Sequence, residues 1–166
     1  MKNIAVLLAC YNRKDRTVDC LNHLQQAVRF TGHQINIDIY LTDDGTDGTG
    51  LSIKKLFPGA NVMAGNGKLY WAGGMRNSWT EARKKHYDWF LLLNDDTNVS
   101  TNLFDELINT HQFCIANFSN EGVYIGSTID PVTAKLGYGG AVFINRFFNT
   151  YRMLEPVGVP QLCELG

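Results

Sequence analysis

The feature that most constrains the fold of this chain is a repeated alternation of short apolar runs with longer segments of helical period. Apolar runs of strand length lie at residues 4–9, 35–41, 61–63, 89–93 and 123–127. Between the first two runs, apolar side chains recur at spacings of three and four and form one core-facing stripe: Val18, Leu21, Leu24 and Val28. Strands that alternate with helices predict a mostly parallel sheet covered by helices, which is the α/β class.

Two further helices are predicted, at about residues 74–86 and 102–117, and the glycine-rich residues 137–140 mark a turn. The chain has 166 residues, of which 45% are hydrophobic, and this is enough to bury one sizeable core. We therefore expect a single domain over residues 1–166.

Charge and cysteine content exclude several classes of partner. The chain has 15 Lys and Arg against 16 Asp and Glu, so its formal net charge of -1 gives no reason to expect nucleic-acid binding. The four cysteines lie far apart and form no CxxC pair, which argues against a zinc ribbon or a disulfide framework. The first apolar run is too short to span a membrane. Together these features favour a reducing, cytoplasmic setting.

Two acidic clusters follow predicted strands. In LTDDGTDGT, Asp43 and Asp44 come just past the second apolar run, and in LLLNDDT, Asp95 and Asp96 come just past the fourth. The carboxyl ends of parallel strands meet at one edge of the sheet, and this edge is where open α/β sheets bind ligands. The two clusters are therefore predicted to share one site.

A calcium-binding loop is the first interpretation of these clusters, and it fails on its ligands. Counted from Asp43, the third position is Gly45 and the twelfth is Lys54, where an oxygen ligand and a bidentate Glu are required. Counted from Asn94, Val99 stands where such a loop needs glycine.

A second interpretation is structural, because Asp and Thr at strand-to-helix turns accept hydrogen bonds from backbone N–H groups. We favour this role for three residues of the first cluster: Thr46, Asp47 and Thr49. It accounts less well for Asp44 and for the pair Asp95–Asp96, since capping needs one acceptor and adjacent carboxylates repel each other. Paired carboxylates beside a crevice are more typical of a cation site.

A third interpretation is a site for a nucleoside-diphosphate sugar. The diphosphate of such a donor carries negative charge that Mg²⁺ or Mn²⁺ can bridge, and these hard cations take carboxylate oxygens. Carboxylates also accept hydrogen bonds from base N–H groups and ribose hydroxyls. A metal that stabilises the leaving diphosphate is a recurrent way to run a group transfer.

Four segments, in order, resemble the inverting family 2 glycosyltransferases with the GT-A fold. They are NIAVLLACYNR, LTDDGTDGT, GNGKLYWAGGMRNSWTEA and WFLLLNDDTNV, and the resemblance covers about residues 3–130. It implies a three-layer α/β sandwich with a mostly parallel central sheet, of which this chain supplies the N-terminal part that binds the nucleotide sugar. It also implies sugar transfer with inversion, a Mg²⁺ or Mn²⁺ cofactor, and a saccharide or lipid-linked acceptor.

The resemblance assigns the nucleotide base to the ends of the first two strands. Ala9 and Tyr11 are similar to the strand end that embraces the base. Asp44, or as the second choice Asp43, is similar to the carboxylate that accepts a hydrogen bond from a uracil or thymine ring N–H. UDP- and dTDP-sugars are accordingly the favoured donors.

The triplet Asn94, Asp95 and Asp96 resembles the DxD motif of the family. The resemblance implies that Asp96 binds the metal and that Asp95 binds the ribose or the donor sugar. The leading Asp of the motif is Asn94 in this chain, which removes one negative charge from the site.

The middle segment resembles the part of the family that lies along the donor. There, Gly73 and Gly74 would allow close approach of the backbone, and Arg76 or Lys68 would contact the diphosphate. The structural alternative is that Gly73 and Gly74 pack a helix on the sheet, Trp71 belongs to the core, and Arg76 lies on a solvated helix face.

The sequence assigns no catalytic base. Inversion needs a general base opposite the leaving group, and in the family this carboxylate comes from a later acidic motif. After Asp130 the only acids are Glu155 and Glu164, and neither lies in such a motif. We expect the base to be absent from this chain and the domain to be truncated on the acceptor side after about residue 130.

Other classes of function stay open. A catalytically incomplete module or subunit would keep the nucleotide pocket without transferase activity. A nucleotidyltransferase would need a phosphate signature rich in Gly, Lys and Arg directly after the first strand, where this chain has YNRKDR.

Apolar residues late in the chain need cover, which we expect from the sheet or from a second copy of the chain in a homo-oligomer: Phe143, Ile144, Phe147, Phe148 and Tyr151. The family's usual work on lipid-linked acceptors would place the protein at the inner face of the membrane.

Overall fold

The structure is a computed structural model that describes residues 1–165. The chain divides into two compact units, residues 1–105 and the residues from 106 onward. The expected single domain over residues 1–166 stays a prediction, as does its truncation after about residue 130.

The first unit alternates strands and helices, as the apolar periodicity predicts. Its elements are β1 (Lys2–Cys10), α1 (Lys14–Phe30), β2 (Ile35–Asp43), α2 (Thr49–Leu56), β3 (Asn61–Ala64), α3 (Tyr70–Ala82) and β4 (Trp89–Leu92). Helix α4 (Leu103–Phe118) begins in this unit and continues into the second, close to the bounds predicted for it. Among the described residues, no helix has the length and apolar character needed to cross a membrane.

The four strands of the first unit form one parallel sheet in the order β3-β2-β1-β4. The chain moves outward from β1 through β2 to β3 and then returns to the other side of β1. Because parallel crossovers are right-handed, this reversal places α1 and α2 on one face of the sheet and α3 on the other. Contacts of α1 with α2, and of α3 with β1 and β2, agree with that arrangement. The predicted three-layer sandwich with a mostly parallel sheet is confirmed.

The core is built around β1, the strand that helices cover on both faces. Its side chains from Ile4 to Cys10 are all buried, which is why this run is continuously apolar rather than alternating. Helix α1 buries a stripe of Thr17, Cys20, Leu21, Leu24 and Ala27. The predicted stripe members Val18 and Val28 lie half-buried at its margins.

The helix predicted at residues 74–86 is shifted towards the N-terminus. Helix α3 begins at Tyr70 and ends at Ala82. At its end, the N–H groups of Lys84 and Lys85 bond the carbonyls of Glu81 and Ala82, an i to i−3 pattern that tightens the chain into a turn.

The strand predicted at residues 123–127 is wrong. These residues are irregular, and the short strand β5 (Thr128–Ile129) begins only after them. Val123 is 89% exposed, so this apolar run lacks the neighbouring strand that would bury it. A short apolar run does not by itself distinguish a strand from an irregular segment.

The second unit contains two small antiparallel pairs: β5 with β6 (Leu136–Tyr138), and β7 (Ala141–Asn145) with β8 (Thr150–Met153). The predicted glycine-rich turn falls at the end of β6 and before β7. Four of the late apolar side chains are more than half exposed: Ile144, Phe147, Phe148 and Tyr151. Cover for these side chains, from the sheet or from a second copy of the chain, stays a prediction.

Candidate functional site at the carboxyl edge of the parallel sheet

The acidic clusters meet because the strands that precede them are neighbours in register. Cys10 at the end of β1 pairs with Asp43 at the end of β2, and Leu7 pairs with Leu92 of β4. The backbone N–H of Asp44 donates to the Cys10 carbonyl at 2.9 Å, which carries the pairing one residue further. The order in which strands are added to the sheet reverses between β1 and β4. This topological switch point is where open α/β sheets bind ligands.

Arg13 lies at the switch point and joins the two carboxylates that follow β4. Its Nη2 is 2.7 Å from Oδ1 of Asp95, and its Nη1 is 2.6 Å from Oδ2 of Asp96. One guanidinium therefore holds together two adjacent carboxylates that would otherwise repel each other.

The two carboxylates differ in burial. Asp95 is 1% exposed, and the hydroxyl of Thr17 lies 3.2 Å from its second oxygen, Oδ2. Burial raises the pKa of Asp95 above its ordinary value, and the Arg13 charge and the Thr17 hydroxyl offset only part of this effect. The side chain of Asp96 is 32% exposed, so a ligand can reach it from solvent.

The sequence interpretation missed Arg13, which is separated from its partners by more than 80 residues. Its position directly after β1, in the run YNR, is the only signal that could have found it. Recognising that signal requires knowing that β4 lies beside β1.

Asp44 is buried, and four backbone N–H groups surround its carboxylate. Oδ1 accepts from Asn66 and Gly67 at 2.9 and 2.7 Å, and Oδ2 accepts from Leu69 and Tyr70 at 2.8 and 3.3 Å. Burial raises the pKa of this carboxyl, but the four donors outweigh burial and hold its pKa below the ordinary value. Asp44 thus fixes the loop at residues 65–70 and the start of α3.

Asp43 and Asp47 also bind main-chain groups. Oδ2 of Asp43 accepts from the N–H of Gly50 in the first turn of α2, at 2.7 Å. Oδ1 of Asp47 accepts from the N–H of Thr49 at 3.0 Å, and Oδ2 accepts from the N–H of Lys14 at 3.1 Å. The prediction that Asp47 accepts hydrogen bonds from backbone N–H groups is confirmed, although the N-cap residue of α2 is Gly48. Main-chain bonding also accounts for Asp43 and for Asp44, which the structural interpretation explained less well.

Gly74 lets α3 lie directly on β1. A Cβ at this position would stand 2.6 Å from Cβ of Ala9, so no larger residue fits without movement of the helix or the strand. At Gly73 a Cβ would lie 3.1 Å from Cβ of Leu69, a milder conflict. Gly74 is buried, and its observed role is the close packing of helix on sheet that the structural alternative predicted. The predicted contact of Ala9 with the base stays a prediction.

Two aromatic side chains border the site and are accessible. Tyr11, immediately after β1, is 54% exposed. Trp71 is 53% exposed, and its indole N–H donates to Oδ1 of Asn94 at 2.9 Å. The interpretation of Trp71 as a core residue is therefore wrong, because its hydrogen bond with Asn94 holds it beside the acidic pair rather than under the sheet.

Arg76 lies on the exposed side of α3 and lines an open groove of about 440 Å³ between this helix and the end of β3. Asn66, Leu69 and Asn77 line the same groove. Neither Asp95 nor Asp96 contributes to its wall, so the structure does not bring Arg76 into contact with the acidic pair.

The residues present suit a metal that is shared with a ligand, not one held by the protein alone. Across residues 1–165, no cluster of three or more His, Cys, Asp or Glu side chains could hold a metal ion. Asp95 is buried and engaged by Arg13 and Thr17, whereas Asp96 is partly exposed and is bonded to Arg13 through one oxygen, so Asp96 is the carboxylate that can accept a metal. A divalent cation that draws its remaining ligands from a diphosphate and from water fits such a site.

A doubly wound parallel sheet with a charged cluster at its switch point is the arrangement in which open α/β domains bind ligands, at the carboxyl edge of the strands. The chain belongs to the family 2 glycosyltransferases, since the family model described as Glycosyl transferase family 2 matches residues 5–132.

Two crystal structures of S. aureus TarS are similar to this chain. The structure of TarS residues 1–349 has 14% identity and a TM-score of 0.47, over 81% of this chain and 43% of that one. The other TarS structure has 15% identity and a TM-score of 0.47, over 87% of this chain and 24% of that one. The chain thus spans less than half the length of the TarS chains it matches. Among curated proteins, no match is found.

Proposed function

We propose that the chain binds a nucleoside-diphosphate sugar, with Mg²⁺ or Mn²⁺, at the carboxyl edge of its sheet, as the donor-binding part of an inverting glycosyltransferase. The proposed acceptor is a saccharide or a lipid-linked molecule. The observation that supports this proposal best is the position of Asp95 and Asp96 at the switch point between β1 and β4, in a chain of the family 2 glycosyltransferases.

Tyr11 is proposed to stack on the base, since an exposed aromatic ring directly after β1 can cover it without moving the core. A uracil or thymine N–H would have to share an oxygen of Asp43 or Asp44 with the main-chain donors already bound there. UDP- and dTDP-sugars are the proposed donors, because uracil and thymine carry the ring N–H that such a carboxylate accepts.

The diphosphate is proposed to lie beside Asp96, where a divalent cation would neutralise the charge that develops on the leaving group. Asp95, which is buried and fixed by Arg13 and Thr17, positions the loop that carries Asp96. Trp71 holds Asn94 through its indole N–H and so fixes the other end of the same triplet. Lys68 and Arg76 remain candidates for the outer phosphate.

Calorimetric titration of UDP-, dTDP- and GDP-sugars, each with and without Mn²⁺, tests the proposal. We expect binding of at least one UDP- or dTDP-sugar that strengthens with Mn²⁺. If no nucleotide sugar binds to the folded chain under either condition, the proposed donor site is wrong. Binding without release of nucleoside diphosphate in the presence of any acceptor would favour an incomplete binding module.

A further inference from the structure

We propose that Arg13 is an internal counter-ion of Asp95 and Asp96, which makes cation binding at Asp96 depend on the arrival of a diphosphate. This inference rests on the proposed function. It concerns a residue that neither the family resemblance nor the acidic motif identified.

The guanidinium of Arg13 occupies one of the two carboxylate oxygens that Asp96 could offer to a cation. Nη1 lies 2.6 Å from Oδ2 of Asp96 and Nη2 lies 2.7 Å from Oδ1 of Asp95, so the planar guanidinium spans both carboxylates. A divalent cation that takes Oδ2 of Asp96 must displace Nη1 from it. The bond from Nη2 to Asp95 does not depend on Asp96 and can persist.

Burial decides which of the two bonds gives way. Asp95 is 1% exposed, so loss of the guanidinium would leave a buried carboxylate without its counter-charge, which costs folding free energy. The Asp96 side chain is 32% exposed and can exchange its partner for water or a metal. The exchange therefore takes place at Asp96 while Arg13 stays on Asp95.

The backbone of Arg13 keeps the guanidinium close after that exchange. Arg13 directly precedes α1, and its carbonyl accepts the N–H of Thr17 in the first turn at 2.9 Å. Thr17 in turn contacts Asp95 through its hydroxyl. A cation at Asp96 would consequently lie beside a fixed positive charge and be repelled by it.

A diphosphate removes that repulsion, because its oxygens carry enough negative charge to neutralise both the metal and the guanidinium. The cation and the nucleotide are then expected to bind cooperatively, and the linkage must be reciprocal. Arg13 would be the source of the coupling, and once released from Asp96 its Nη1 can donate to a phosphate oxygen.

The test measures the affinity for Mn²⁺ alone, with free Mn²⁺ followed by electron paramagnetic resonance. Arg13→Gln is expected to bind Mn²⁺ alone at least about tenfold more tightly than the native chain, because a neighbouring positive charge is removed. Arg13→Lys keeps the charge and is expected to stay close to the native affinity. Arg16→Gln, on the exposed side of the same helix, is the matched control and should change nothing.

Two further measurements separate this role from a purely structural one. The ratio of Mn²⁺ affinities with and without UDP should be smaller in Arg13→Gln than in the native chain. Its melting temperature should be lower than that of the native chain, and Mn²⁺ alone should restore part of the loss, because the metal then replaces the missing counter-ion. Mn²⁺ alone should leave the native melting temperature almost unchanged.

An Arg13→Gln variant that is folded by circular dichroism yet binds Mn²⁺ alone no more tightly than the native chain would overturn the proposal. If Arg13→Gln does not fold, Asp95→Asn serves as the background, because it removes the buried negative charge. The double variant Asp95→Asn with Arg13→Gln must then bind Mn²⁺ more tightly than Asp95→Asn alone. Failure of UDP to bind at all would instead refute the proposed donor site, while the comparison with Mn²⁺ alone would still decide the role of Arg13.

Discussion

At the scale of single residues, the carboxylates of the site divide by the partners they bind. Asp44 is bonded to four backbone N–H groups of the chain that follows it, whereas Asp95 and Asp96 are bonded to one side-chain cation. A main-chain partner fixes a loop, and a side-chain partner can be exchanged. The loop bonded to Asp44 is therefore held rigidly, whereas the guanidinium bonded to Asp96 can be replaced by another cation.

Asp44→Asn is expected to loosen the loop at residues 65–70, since an amide offers one acceptor oxygen where the carboxylate offers two. A hydrogen bond to a charged group is worth about 1.5–3 kcal/mol, so the free energy of unfolding should fall by an amount of that order. Urea denaturation measures it. Affinity for uridine nucleotides should fall equally with and without Mn²⁺. A loss seen only with Mn²⁺ would make Asp44 a metal residue instead.

The stabilising effect of Asp44 should depend on pH in one direction. Because its folded pKa lies below the ordinary value, the contribution is fully present above the unfolded pKa of about 3.9 and is lost as pH falls towards the folded value. The stability difference between the native chain and Asp44→Asn should therefore be constant from pH 5 to 7 and shrink below about pH 4. A difference that grows on acidification would contradict the assignment.

Asp96→Ala is expected to remove Mn²⁺-dependent nucleotide binding and to leave stability within about 1 kcal/mol, because exposed ion pairs contribute little. Asp95→Ala is the matched comparison. It removes a buried acceptor from both Arg13 and Thr17 and should lower the melting temperature more. Calorimetry with UDP and Mn²⁺, followed by thermal unfolding of both variants, distinguishes the ligand role from the structural one. Native-like Mn²⁺ dependence in Asp96→Ala would exclude Asp96 from the metal site.

At the scale of elements, the site depends on how closely α3 lies on β1. The contact between Gly74 and Ala9 sets this distance, and a buried hydrogen bond from Oγ of Ser78 to the Leu8 carbonyl, at 2.9 Å, fixes the helix one turn later. The first turn of α3 carries Trp71 to its partner Asn94. A change in the packing of α3 should therefore alter the position of the triplet Asn94, Asp95 and Asp96.

Gly74→Ala tests this dependence. Alanine favours a helix by roughly 1 kcal/mol over glycine. The new Cβ would, however, stand 2.6 Å from Ala9, and overpacking of this kind costs about 1–3 kcal/mol. We expect net destabilisation in urea denaturation and weaker donor binding. Gly73→Ala, with its milder contact at 3.1 Å, should lose less stability. A Gly74→Ala variant more stable than the native chain would show that the helix can move away without cost.

At the scale of the whole molecule, the absence of a catalytic base stays a prediction, and Glu155 and Glu164 are the acids to weigh among the described residues after Asp130. Glu164 accepts the N–H of Phe143 and pairs with Arg146. The backbone bond to Phe143 and the Arg146 charge hold its pKa below the ordinary value, which makes it a weaker base. Glu155 shows no such bond through its carboxylate in the described part of the chain.

The 166-residue chain is therefore expected to bind a donor but to hydrolyse it only slowly, without stimulation by acceptors. General base catalysis contributes about 10²–10⁴-fold, so its absence should be plain in an assay of UDP or dTDP release. Glu155→Gln and Glu164→Gln are the controls. Acceptor-dependent turnover at an ordinary enzymatic rate, lost in one of these variants, would identify the base in this chain.

Much of this protein was determined by the sequence alone. The continuous apolar run at residues 4–9 predicted β1, because a strand buried on both faces needs no polar alternation. Runs that are mainly apolar also predicted β2, although Asn36 and Asp38 interrupt it, and β4, which is only half-buried. The apolar spacing predicted α1 and α4, and the order of the motifs predicted the family. Local signals were weaker for α2, which the periodicity did not single out, and for residues 123–127, where an apolar run found no neighbouring strand.

Only the tertiary structure decided which partner each polar group takes. Asp44 meets N–H groups 22 to 26 residues later, and Arg13 meets its two carboxylates 82 and 83 residues later. Such pairs depend on strand order and on which helix covers which face, and neither is written in local periodicity. Trp71 is exposed for the same reason, because its partner Asn94 follows a strand that only the fold brings beside β1.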